Sequence, residues 1–251
     1  MNQASTSAGV PACPAFPERR FSSAPGFTLL ELTLVLAVLG VLGLFATFAF
    51  SGVEDVRQRQ QAQAEAEAAR EALRAFLLSN KRLPCPDTDV DGYENCPATG
   101  ETGTLPYLTL GLTDAARNRM FYGVYRAADS NDLTRLVERT GDAEGAPGHL
   151  GLGDAITALQ AIPEVLSNAH IHTAGIDAAG APDCAAGRNA AFLLIVPHAD
   201  RDGTGDFLDG PNVAGDSCYA SANQPLAQDY DDVVVAESPS ALIGWLMRHM
   251  N

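Results

Sequence analysis

Two acidic runs are the first groups in the chain that could hold an ion. Asp87-Thr88-Asp89-Val90-Asp91-Gly92 alternates carboxylates and ends on glycine. Asp200-Arg201-Asp202-Gly203-Thr204-Gly205-Asp206, with Asp209 beyond it, follows a similar plan. Alternating carboxylates can converge on one hard cation while a glycine permits the sharp turn, which is how a calcium loop works. Asp87, Asp89, Asp91, Asp200, Asp202 and Asp206 are therefore candidate calcium ligands. The first run lacks the bidentate Glu that closes such a loop, because Ala98 stands at that place, and Asp-Gly is also an ordinary turn pair. Calcium is admitted on this reading, and no cofactor is required.

Catalytic groups are harder to find. His170 and His172 flank Ile171, so in a strand both would face one side. A metal or acid–base role needs a third group, such as His198. The chain has no G-x-S-x-G, no H-E-x-x-H and no glycine pattern of a phosphate-binding or dinucleotide loop, so the nucleophile, zinc-hydrolase and nucleotide-cofactor readings lose their usual carriers. The expectation is a protein that is not an enzyme.

The five cysteines divide unevenly. Cys13 precedes a long apolar run, and Cys85, Cys96, Cys184 and Cys218 follow it. Four is an even number, as disulfides in an oxidising compartment require. Four cysteines allow three pairings, of which sequence proximity favours Cys85–Cys96 and Cys184–Cys218. In the chain-entropy account those loops contribute roughly 3 and 4 kcal/mol. Zinc is the rival reading, although the spacings are not those of paired C-x-x-C knuckles.

Formal charge excludes another class. The chain carries −15 with a pI near 4.5. Without the segment before Phe27, whose charges are Glu18, Arg19 and Arg20, the side chains carry −16. Such a surface cannot neutralise phosphates, so nucleic acid is not expected as a partner, and peripheral binding to anionic lipid is disfavoured. Acidity of this kind keeps an exported domain soluble.

The positioning elements begin with the apolar run itself. Leu32–Phe50 is uncharged and of about the length that spans a bilayer as a helix. It is too long for the core of a secretory signal, and small residues at a cleavage site are poorly placed after it. Arg19 and Arg20 precede it, which keeps that end in the cytoplasm and the cysteine-bearing remainder outside. Glu31 does not fit a plain anchor. An ionisable group there costs at least ~2.5 kcal/mol, and nothing else in Phe27–Phe50 supplies a positive charge. The missing cation must come from another chain or from a new N-terminus.

Gly26-Phe27-Thr28-Leu29-Leu30-Glu31 followed by this run resembles the prepilin cleavage and methylation motif of type IV pilins and type II secretion pseudopilins. The resemblance implies cleavage by prepilin peptidase between Gly26 and Phe27 and methylation of the new Phe27 amine. It also implies that Glu31 pairs with the N-terminal amine of a neighbouring subunit during assembly. Two buried charges are tolerable when paired. The implied partners are other pilin or pseudopilin subunits, the peptidase, an inner-membrane assembly platform with a separate ATPase, and the lipid bilayer. Arg19 and Arg20 stand several residues before the cut, with Ala24-Pro25 between, and no proline occurs from Phe27 to Leu83. Both features suggest a minor pilin or a pseudopilin. The alternative is a periplasmic binding or enzymatic domain held by an uncleaved anchor.

This reading divides the chain into a leader (1–26), a transmembrane or filament-core helix (27–50), an amphipathic helix (51–82) and a periplasmic globular domain (83–251). Ala62, Ala66, Ala69, Leu73, Phe76 and Leu77 recur at helical spacing, and Pro84 and Pro86 end the helix. Leu83-Pro84-Cys85-Pro86-Asp87 and the turn-rich stretch to Leu112 resemble a segment recurrent in a subset of pilin-like proteins. Phe121–Arg126, Ala190–Val196 and Asp231–Ala236 read as strands. A short helix is expected within Leu150–Glu164, and a final one over Ala241–Met250 after a Ser238-Pro239-Ser240 cap. The expected fold is α+β: a long transmembrane-plus-amphipathic helix packed on a mainly antiparallel sheet, as in pilins.

Overall fold

The computed structural model describes residues 26, 28–112, 120–127, 131–137, 139, 151–164, 166, 169–178, 181–205, 207–225, 227 and 229–249. The chain divides into two compact units, Met1–Ser51 and Gly52–Asn251, and each is taken by itself. Helix α1 (Leu29–Asn80) gives its first part to one and residues 52–80 to the other.

In the first unit, the described side chains of α1 are exposed on every face. Leu29, Leu30, Leu34 and Leu36 are each at least 60 % accessible, and the leucines and valines on to Leu44 are exposed as well. Among the described residues no helix is long and apolar enough to cross a membrane. The expectation of a transmembrane helix is corrected on that finding.

The second unit has one hydrophobic core. Ala62, Ala66, Ala69, Leu73 and Leu77 of α1 are buried in a single stripe, and Phe76 lies half-buried beside it. Strands β1 (Thr102–Thr104), β2 (Phe121–Val124), β5 (Phe192–Val196) and β7 (Val233–Glu237) form an antiparallel sheet in the order β1-β2-β5-β7. Phe192, Leu193, Leu194 and Ile195 of β5 are fully buried, as a continuous apolar run at the centre of a sheet covered on both faces requires. Arg74 of α1 ties the helix to the edge of this sheet through two bonds, 2.8 and 2.9 Å, to the buried Glu237.

Here the expected fold needs a second correction. The strands do not make one mainly antiparallel sheet. β3 (His172–Ile176), β4 (Pro182–Asn189) and β6 (Cys218–Tyr219) form a separate small sheet, order β4-β3-β6, in which β3 and β6 run parallel. The register of β3 on β4 breaks between Thr173 and Gly175. Asp183 pairs with Gly175 and Arg188 with Thr173, so residues 184–187 bulge opposite Ala174 alone. Helix α2 (Leu152–Gln160) starts with the Asp154 carboxylate accepting the Gly151 N–H at 3.0 Å. Helix α3 (Pro239–His249) is capped by Ser238, whose hydroxyl accepts the Ala241 N–H at 3.2 Å. The second unit thus comprises two small sheets and the helical elements that share their core.

Candidate functional site

Gly26 is exposed, and Phe27 lies outside the described residues. Just beyond them the helix starts. The Glu31 N–H donates to the Thr28 hydroxyl at 3.2 Å, and the Thr28 N–H faces the Glu31 carboxylate at 3.4 Å. Reciprocal bonds of this kind are a capping box, signalled by T-x-x-E. That signal is present in Thr28-Leu29-Leu30-Glu31, and a reading of Glu31 as a charge alone passes over it. Glu31 has two possible uses: it completes the first turn, where a carboxylate also suits the helix dipole, and it is the one charged group in an exposed apolar segment.

The cysteines are bonded as Cys85–Cys96 and Cys184–Cys218. Their sulfurs fall into two groups with potential ligands, Cys85–Glu94–Cys96 and His172–Cys184–Cys218. Disulfide sulfurs offer no thiolate, so zinc has no ligand set in either.

The first acidic run turns on Asp87, which is fully buried. One oxygen accepts the N–H of Asp89 (3.1 Å) and Val90 (2.7 Å), and the other accepts the Gly92 N–H (2.7 Å). Asp87, Asp89 and Asp91 do converge, with one oxygen from each within 4.8 Å of the others. A hydrogen bond to Asp87 raises the Asp89 carboxyl above its usual range, and burial and the charge of Asp91 add to it. The buried member of this set already serves the turn.

The second run assembles differently from its sequence order. Asp206 lies outside the described residues. Asp200 and Asp202 meet Asp209, and Asp209 in turn meets Asp231 and Asp232 from the entry to β7. Asp202 is held ionised by the N–H of Gly210 and by Thr204, which place its carboxyl below the usual range. Asp209 accepts the N–H groups of Arg201 (2.8 Å) and Asp231 (2.8 Å). Burial works against ionisation of Asp231, but Arg201, the Ala199 N–H and His198 outweigh it and hold its carboxyl low. Asp232 fares otherwise. One of its oxygens accepts the Asp209 N–H (3.0 Å) and the Asn212 amide (2.8 Å), while Oδ1 is buried without a partner. Burial, reinforced by the charges of Asp209 and Asp231, pushes it up to about 7 despite those two bonds. The carboxylate oxygens gathered here are of the kind a hard cation takes. Asp231 and Asp232 are distant in sequence from the run they complete, so only the fold brings them in. Their one local signal is the Asp-Asp pair before an apolar strand.

The three histidines considered together are kept apart. His170 Nδ1 lies 2.6 Å from Glu101, His198 contacts Asp231 at 3.1 Å, and His172 is buried in β3. No candidate metal group among the described residues contains two of them. Glu101 was not singled out by any motif, yet it also accepts the N–H of Ile171 (2.8 Å) and of Arg126 (3.1 Å) and so joins the two sheets. Comparison of the chain with family models, with characterised proteins and with solved structures gives no match.

Proposed function

We propose that the chain is an assembly subunit of a type IV pilus or type II secretion pseudopilus, as a minor pilin or a pseudopilin. It is cut between Gly26 and Phe27 by prepilin peptidase and joins the filament through the apolar start of α1. Before assembly it belongs to the bacterial inner membrane, with the acidic domain on the periplasmic side, where an assembly platform draws it into the fibre. The observation that carries this reading is Glu31. It is the single charge on a helical segment whose leucines and valines are exposed on all faces. Apolar surface of that extent needs covering, and copies of the same segment supply a cover in which the amine of one chain meets the carboxylate of the next. Two disulfides agree with an oxidising compartment.

Glu31→Gln separates the two uses of this side chain. Gln serves a capping box as well as Glu does, so the helix start survives while the charge is lost. The expected result in cells with the peptidase is a chain beginning at methylated Phe27 that no longer enters filaments. Incorporation equal to the unaltered chain, or an N-terminus that remains uncut, would overturn the assignment.

A further inference from the structure

His172 opens β3, the middle strand of the small sheet, and pairs with Cys218 of β6 and Asn189 of β4. The four-residue bulge 184–187 carries Cys184 out of line, and the disulfide links β4 to β6. Bulges commonly re-aim a side chain in this way. The imidazole is buried at 2 % exposure. Its Nδ1 lies 2.8 Å from the His170 carbonyl oxygen, so Nδ1–H donates there and, in a neutral ring, Nε2 carries the lone pair. Nε2 is buried and has no hydrogen-bond partner. A ring nitrogen of His172 and the two sulfurs lie within 4.8 Å of one another. Gly187 permits this approach, since a Cβ there would stand 2.9 Å from His172 Cδ2 and 2.5 Å from the Thr173 carbonyl oxygen. The ring edge that includes Nε2 therefore lies against the strand that carries Cys184. A buried nitrogen that bonds nothing in the resting protein is unusual, and the ring that carries it lies beside a sulfur–sulfur bond.

We propose that Cys184–Cys218 is a thiol–disulfide exchange site, in which a dithiol attacks the sulfur of the exposed residue Cys184 and His172 stabilises the departing Cys218. The thiolate of the incoming dithiol forms a bond to Cys184 Sγ. The Cys184–Cys218 bond breaks, and its electron pair leaves on Cys218. The proton lost by the attacking thiol goes to solvent, and a proton taken up at His172 Nε2 gives the N–H that meets the Cys218 thiolate. The second thiol of the reagent resolves the mixed disulfide, so the dithiol is oxidised to a disulfide as the protein's disulfide is reduced to two thiols. Run backwards with a disulfide reagent, the same steps close the bond. A lower leaving-group pKa speeds exchange, and a protonated histidine beside a cysteine lowers its thiol pKa.

The other disulfide is an internal control. It also pairs a buried cysteine, Cys85, with an exposed one, Cys96. Its neighbour is Glu94, whose carboxylate lies 3.9 Å from Cys96 Sγ and is already paired with Arg82 at 2.6 Å. That pair offers no free base and no net positive charge to a departing sulfur.

The full-length chain is exposed to dithiothreitol, quenched by alkylation at intervals, and each cysteine pair is quantified by mass spectrometry. The expected result is that Cys184–Cys218 opens about tenfold faster than Cys85–Cys96, the size of a modest drop in leaving-group pKa. His172→Gln, which cannot hold the proton, brings the faster rate down to the slower one and leaves Cys85–Cys96 unchanged. Equal rates in the unaltered chain, or the reverse order, overturn the proposal, as does a His172→Gln chain that keeps the difference. If that variant does not fold, the order of opening in the unaltered chain decides alone.

Discussion

Replacing Asp232 with Asn tests whether the fold holds a carboxyl group that it cannot comfortably ionise. The residue is 2 % exposed, its Oδ1 bonds nothing, and Asp209 and Asp231 stand close by. Its folded-state pKa is pushed up to about 7 by burial and by those two charges, against about 3.9 in an unfolded chain. A carboxyl whose folded pKa is raised keeps a proton that the unfolded chain has already lost. Its contribution to stability is therefore complete below pH ~4, declines as pH rises, and is gone above pH ~7. Three pKa units correspond to about 4 kcal/mol as an upper figure, or a shift of roughly 10 °C in Tm for a domain of this size. Asn keeps an oxygen for the N–H of Asp209 and the Asn212 amide, and its own N–H₂ takes the place of the unpartnered Oδ1. The assay is the melting temperature of both chains from pH 4.5 to 8.5 in EDTA, so that adventitious metal contributes nothing. The unaltered chain should lose stability relative to the variant across pH 5 to 7, with Asp232→Asn the more stable at pH 8. A constant difference between the two at pH 5 and pH 8 would refute the reasoning.

Two further outcomes follow from buried charge and from the first acidic turn. Arg74→Ala leaves Glu237 buried with its main partner gone, and the 3.9 Å contact from Arg70 replaces little of it. Loss of about 3 kcal/mol is expected by urea denaturation, and Arg74→Met with Glu237→Gln should recover most of it. Asp87→Ala removes acceptors for three backbone N–H groups and should cost about 3 kcal/mol. That cost should be the same in EDTA as in millimolar calcium if the side chain serves the turn alone; a calcium-dependent cost would place an ion in this loop.

Local pattern carried much of the second unit and failed where strand pairing is made by distant residues. The alanine–leucine stripe of α1 is readable because a helix repeats every 3.6 residues, and its buried members follow that period. The run Phe192–Val196 is readable because a central strand covered on both faces needs no alternation. β4 is different. Pro182, Gly187 and three alanines or cysteines in a row have poor strand propensity, and the segment pairs with β3 through a bulge that no local rule predicts. β6 is only two residues long, far below what any periodicity can detect. The acidic runs illustrate the same limit. Asp200 and Asp202 belong together by spacing, whereas Asp232 joins them through Asp209 after a separation of more than twenty residues.

Glu31 shows how a residue legible for one reason can have a second. Its charge in an apolar run points to a partner amine, and its position three after Thr28 points to a helix cap. These uses are compatible in sequence. In the free chain the carboxylate faces the Thr28 N–H at 3.4 Å, a long contact between an anion and a neutral donor, which a cationic amine can replace at a gain. The Thr28 hydroxyl still accepts the Glu31 N–H when that happens, so the helix start does not depend on the carboxylate staying where it is. A residue arranged in this way can hold the first turn in the single chain and give its charge to a neighbour. For that reason Glu31→Gln, which changes one use and spares the other, discriminates where Glu31→Ala does not.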